Sequence, residues 1–237
     1  MRLEKGFTMA EVLITLAVIG IVAAMTLPSL INNRRSKALE TALKKNYSVI
    51  EQALNMYYAQ KGERLTSEII GKHELKPVLM EYMSVLKDCG WGAEHTEADY
   101  EKTCIPFDSK NPERTSKAYK NFNGTNTINL ALFDDGQFVL NDGSLILIEN
   151  VGSDAGNRIF ISVDVNGFNK NPNRLGWDLF MFQLDTKGRL LPMGAEGTPY
   201  YSKKDDYCSP TSTNNKNGAG CTYNALSEKD YFSKLSY

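Results

Sequence analysis

The chain has 237 residues, room for one membrane segment and one domain of ordinary size. Its 27 Lys and Arg against 28 Asp and Glu leave a formal charge of −1, so no chain-wide basic field calls for nucleic acid as a partner. No phosphate-cradling glycine loop or dinucleotide fingerprint occurs, and neither His73 nor His95 stands beside a nucleophile elbow, so the sequence gives no reason to expect an enzyme.

Residues 6 to 31 read GFTMAEVLITLAVIGIVAAMTLPSLI, an apolar run with a single acid, Glu11. As an α-helix, the stretch from Phe7 to Ile31 extends about 37 Å, enough to cross a bilayer core of roughly 30 Å. An ionised side chain inside such a helix costs about 2.5–3.5 kcal/mol even on permissive scales, so a retained Glu11 implies that the carboxylate has a job. A removable signal peptide would use the basic leader (Arg2, Lys5) and cut near Val22-Ala23-Ala24, but the run is long for one and contains an acid. A plain signal anchor fits the length and leaves Glu11 without a partner.

Taken together, Lys5-Gly6, Phe7-Thr8-Met9-Ala10-Glu11 and Val12-Leu13-Ile14 resemble the class III signal of type IV prepilins and type II secretion pseudopilins. The resemblance implies that prepilin peptidase cuts between Gly6 and Phe7 and N-methylates Phe7. It also implies that Glu11 then meets the amine of Phe7 on a neighbouring subunit, which offsets the cost of a buried carboxylate. On this reading residues 1–6 are a cleaved leader, 7–31 a transmembrane and assembly helix, 32–62 its amphipathic continuation, and 63–237 a globular α+β head. The expected place is the bacterial inner membrane, single-pass with an extracytoplasmic head, and later a periplasmic or cell-surface filament. Implied partners are the peptidase, other pilin or pseudopilin subunits, an inner-membrane assembly platform and membrane lipid. The alternative, from another class, is a membrane-anchored extracytoplasmic binding protein that never polymerises, with or without dependence on calcium.

Gly20 and Ala24 form a small-xxx-small pair suited to close helix approach, or are simply small residues facing lipid. Pro28 removes a backbone donor and is expected to kink or loosen the helix. The charges at Arg34, Arg35 and Lys37 outweigh Arg2 and Lys5, and by the positive-inside rule favour the opposite orientation. Beyond them Leu39, Leu43, Tyr47, Ile50, Leu54 and Tyr57 recur at spacings of three and four, so the helix runs on to Gly62 with an apolar stripe for the head.

A short helix is expected from near Pro77 through Leu86 to Cys89, followed by irregular polar chain to Thr125. His95 lies there among Glu94, Glu97 and Asp99, a solvated acidic loop rather than a metal site. From Thr127 the period becomes that of strands: Ile128–Phe133, Gln137–Leu140, Ser144–Glu149, Arg158–Val165, Leu179–Leu184 and Arg189–Leu191. Asp134-Asp135-Gly136, Asn141-Asp142-Gly143 and Asp185-Thr186-Lys187-Gly188 supply turns, so the strands read as an antiparallel meander with one face on the long helix. The fold class expected is α+β and pilin-like.

Two stretches remain. Residues 164–180, DVNGFNKNPNRLGWDLF, are rich in hard oxygen donors, and Asp164, Asn166 and Asp178 are candidate Ca²⁺ ligands. The spacing is not that of an EF-hand, and a self-capped turn accounts for the same residues. The four cysteines allow three connectivities; two local disulfides, Cys89–Cys104 and Cys208–Cys221, in an oxidising compartment are the favoured pairing.

Overall fold

In a computed structural model of the chain, the described residues are 6–66, 68–71, 73–91, 104–105, 118–150, 158–202 and 206–235. A 53-residue helix, α1 (Met9–Lys61), leads into the head. Thr8 caps its start, and Gly62, at φ 79°, ends it in the left-handed conformation with its N–H on the Tyr58 carbonyl. The helix runs through Pro28 without a break in its assignment.

The head contains α2 (Leu75–Tyr82), α3 (Cys221–Ser227) and a six-stranded sheet: β1 (Val85–Asp88), β2 (Gly136–Leu140), β3 (Leu145–Glu149), β4 (Ile159–Asp164), β5 (Leu179–Leu184) and β6 (Leu190–Pro192). The strands lie in the order of the chain and every pair is antiparallel, so the sheet is a meander. Its register aligns Phe138, Ile146, Val163 and Phe180 in one row across four strands. That face meets the second half of α1, where Leu39, Leu43, Ile50, Ala53, Leu54 and Tyr57 are buried. Tyr47 stacks on Phe182 with ring centroids 5.5 Å apart. Buried Asn46 is satisfied at this interface: its amide donates to the Ala42 carbonyl, and its carbonyl accepts from Ser144.

The opposite face is covered as well. Leu145, Leu147, Phe160, Leu179 and Met181 form a second core with Tyr119, Leu130, Phe133, Met193 and Tyr200 from loops. With both faces buried, β3 is apolar up to its final Glu149, and the polar residues of β4, Ser162 and Asp164, are buried as well.

Two elements differ from the sequence reading. The helix around Pro77 stops at Tyr82, because Met83 is extended and Val85–Asp88 pairs with β2 as an edge strand. Ile128–Phe133 is not a strand. Leu130–Leu132 forms a 3₁₀ turn, which drops Leu130 and Phe133 into the second core at a spacing of three. The acidic loop around His95 lies outside the described residues.

Candidate functional site

The amino-terminal half of α1 is set apart by what it does not touch. Phe7 is 90% exposed, and the apolar side chains of Val12, Ile14, Val18, Ile19, Leu27 and Ile31 are exposed too. The first buried residue of the helix is Leu39. About 26 residues of helix, or roughly 39 Å, therefore project from the head with none of the described residues burying them. Water does not stabilise that much apolar surface; lipid or neighbouring apolar helices do. Polar side chains within the run are folded back on their own backbone. The Thr15 and Thr26 hydroxyls donate to the carbonyls of Val12 and Val22, each at 2.9 Å. Apart from its own helix backbone, no described residue lies within 4 Å of a Cβ placed on Gly20.

Glu11 sits one turn into the helix and is held by the residue that begins it. Its Oε2 accepts the Thr8 N–H at 2.8 Å and the Thr8 hydroxyl at 2.7 Å, while the Thr8 Oγ1 accepts the Glu11 N–H at 3.3 Å. This is a capping box, and it also places an anion at the positive end of the helix. The carboxylate is thereby fixed to Thr8, the residue that follows Phe7.

Where the helix enters the head, Arg35 donates to the Asn171 carbonyl and Ser36 to the Phe232 carbonyl. Lys45 pairs with Asp142 at 2.8 Å. Arg35, one of the cations that weighs against the expected orientation, is thus tied to the head.

Both disulfides join the cysteines nearest in sequence. Cys89–Cys104 fastens the end of β1, with Cα atoms 5.3 Å apart, and Cys208–Cys221 fastens the start of α3, at 4.9 Å. Inside the second loop Asn217 is fully buried. Its amide donates to the Ser209 and Ser212 carbonyls at 2.7 Å, and its Oδ1 accepts from the Ser209 N–H.

The 164–178 segment brings Asp164 and Asp178 together, both with no exposed surface. Asp164 Oδ1 accepts the N–H groups of Asn166 and Gly167, and its Oδ2 accepts the Tyr119 hydroxyl. Asp178 accepts the N–H groups of Asn173 and Arg174 at 2.8 and 2.7 Å. Gly167, at φ 82°, permits the turn; a Cβ there would lie 2.4 Å from the Gly143 carbonyl oxygen. Burial pushes Asp164 up to about 6 and Asp178 up to about 7, the second helped by the charge of the first. Burial, and then the charge of Asp164, also holds the Tyr119 hydroxyl well above its usual range, so it stays a donor.

These donors compete with Ca²⁺ for the same oxygens. Every oxygen of the two carboxylates already accepts an N–H or O–H group, which leaves about three of their roughly eight lone-pair sites for a cation that takes six to eight oxygens. Asn166 Oδ1 is the one buried acceptor of the three candidates without a hydrogen bond, and no cluster of three acidic, His or Cys ligands occurs among the described residues. The segment is built as a pair of anion-capped turns.

Comparison with known proteins singles out the same end of the chain. Residues 1–27 match the family model described as the prokaryotic N-terminal methylation motif, the signal of type IV pilins and pseudopilins. No curated protein and no solved structure matches the chain significantly. Taken with the long apolar helix, the antiparallel sheet and the two disulfides, the architecture is α+β and pilin-like.

Proposed function

We propose that this chain is a structural subunit of a type IV pilus or type II secretion pseudopilus, made as a precursor and assembled through its first helix. Prepilin peptidase removes residues 1–6 and methylates Phe7. The 7–31 segment stays in the inner membrane, and the head, carried by residues 32–62, stands on the extracytoplasmic side. On assembly the apolar half-helix leaves lipid for a sheaf of identical or related helices. The observation that carries this reading is the combination at one end of the chain: a methylation motif followed by a helix whose apolar face the head leaves wholly uncovered.

Glu11 supplies the register. In a helix bundle its carboxylate costs several kcal/mol unless it meets a cation, and the amine of Phe7 on an adjacent subunit is a cation at matching depth. Methylation keeps that charge. Thr8 holds the carboxylate at the helix start until the partner arrives. In this role the chain is a peptidase substrate and a building block rather than a catalyst.

Mass spectrometry of protein from cells that contain the peptidase tests the proposal. A mature chain beginning at N-methylated Phe7 is expected. A chain that still begins at Met1 would make it an anchored binding protein, and one beginning at Met25 a secreted protein.

A further inference from the structure

The sheet face turned away from α1 carries a polar cavity of about 620 Å³ that the assembly role does not use. That volume is within the range of small-molecule sites. Arg158 at the start of β4, Gln183 on β5, and Tyr201, Tyr207 and Lys216 from the covering loops contribute to its wall. Tyr200 forms the floor at 8% exposure, its ring centroid 6.2 Å from Phe160 and 5.1 Å from Tyr207. The Lys216 ammonium stands 5.5 Å from the Tyr200 ring centroid. The floor is thus packed, and one of the two cations of the wall, Lys216, stands over it.

Three properties of the wall define a ligand. Arg158 and Lys216 are cationic, and no carboxylate is among the described residues that line the cavity; Glu149, on the cross-strand row of Phe160 and Gln183, is buried and outside that lining. The ligand is therefore an anion, and a guanidinium suits a carboxylate in particular. Gln183 Oε1 is buried with no hydrogen bond, an acceptor that calls for a hydroxyl donor and gives a bare anion nothing. The tyrosine rings offer flat apolar faces with a polar rim, which suits the C–H face of a sugar ring and not an alkyl chain. We infer that this cavity binds an acidic saccharide, its carboxylate on Arg158 and Lys216, a hydroxyl on Gln183 Oε1, and its ring against Tyr207.

The inference is independent of polymerisation and is tested on the full chain in a sugar-free zwitterionic detergent. Titration calorimetry with trigalacturonate is expected to show saturable binding, with the uncharged maltotriose at least about tenfold weaker. Arg158→Gln and Lys216→Gln should each weaken trigalacturonate at least about tenfold, and Gln183→Leu several-fold, at unchanged melting temperature. Should Arg158→Gln fail to fold, Lys216→Gln on the loop carries the same test. Absence of trigalacturonate binding overturns the inference. Equal binding of maltotriose removes the role of the cations and overturns it too. Inorganic phosphate binding as tightly as the trisaccharide would reduce the cavity to a general anion well, which likewise refutes it.

Discussion

The two halves of α1 are one uninterrupted helix with two solvents. From Leu39 onward the apolar residues follow the 3.6-residue period and vanish under the sheet. Before Arg34 they surround the whole circumference and none is covered. The same backbone thus serves head stability in one half and, on the proposed function, assembly in the other. A helix that is apolar all round has to find its neighbours outside its own chain. The polar residues mark the boundary between these regimes: a single acid at the far end, and the Arg34, Arg35 and Lys37 collar where the exposed apolar half gives way to the half that packs on the head.

The largest break in this comparison comes from Glu11→Leu. The substitution makes the membrane half more apolar, so membrane residence and head folding are retained and peptidase processing continues. Filament yield, measured by shearing and quantifying polymer, should fall by at least about tenfold, since a lost interhelical ion pair in low dielectric is worth more than about 1.4 kcal/mol. Normal filaments would remove the role assigned to the carboxylate.

Next in size is truncation of the packed half. Leu43→Ala or Ile50→Ala removes a fully buried side chain and should lower head stability by about 2–5 kcal/mol in denaturant melts. Ile19→Ala, in the exposed half, should leave the head's melting temperature unchanged. Equal losses at both positions would mean that the membrane half packs on the head after all. Reduction of Cys208–Cys221 is expected to cost about 3 kcal/mol, for a loop of this size, on the same measure.

The same division explains what the sequence conveys and what it hides. Leu39, Leu43, Ile50 and Leu54 announce their helix because one face is buried and the other wet, and the Asn141-Asp142-Gly143 and Asp185–Gly188 turns announce their hairpins by backbone chemistry. β1 escapes because an edge strand with one neighbour is exposed at three of its four positions and shows no alternation. Ile128–Phe133 misleads because an apolar run fits a buried turn as well as a strand. The cavity walls are more remote still. Arg158, Gln183 and Lys216 become neighbours only through sheet register and loop closure, which no local pattern encodes.

A smaller effect separates head from helix by pH. The carboxyls of Asp164 and Asp178 are raised on folding, so the folded head binds protons in a window where the unfolded chain has released them. Stability from this source is full below the unfolded value near 4 and is lost as pH rises through about 6 to 7. Asp142 and Asp185, which are lowered, act oppositely and only at more acid pH. The head should therefore melt a few degrees higher at pH 5 than at pH 7.5. Asp164→Asn, which cannot titrate there, should flatten that dependence. A melting temperature that rises with pH across this range would contradict the raised pair.

The smallest expected effect is none at all, from metal removal. A Ca²⁺ site would make the head's melting temperature depend on free calcium, by about 2.7 kcal/mol at a hundredfold excess over Kd. Here five backbone or phenolic donors already occupy most of the roughly eight lone-pair sites of Asp164 and Asp178, leaving about three where Ca²⁺ takes six to eight oxygen ligands. Gly167 is pinned at positive φ against the Gly143 carbonyl, and Asn173 donates its amide to the Phe168 carbonyl, so the loop has little freedom to exchange those donors for a cation. Melts in EDTA and in millimolar calcium should superimpose. A calcium-dependent rise would show that the segment rearranges into a cage, and that the anion-capped turns are its apo form.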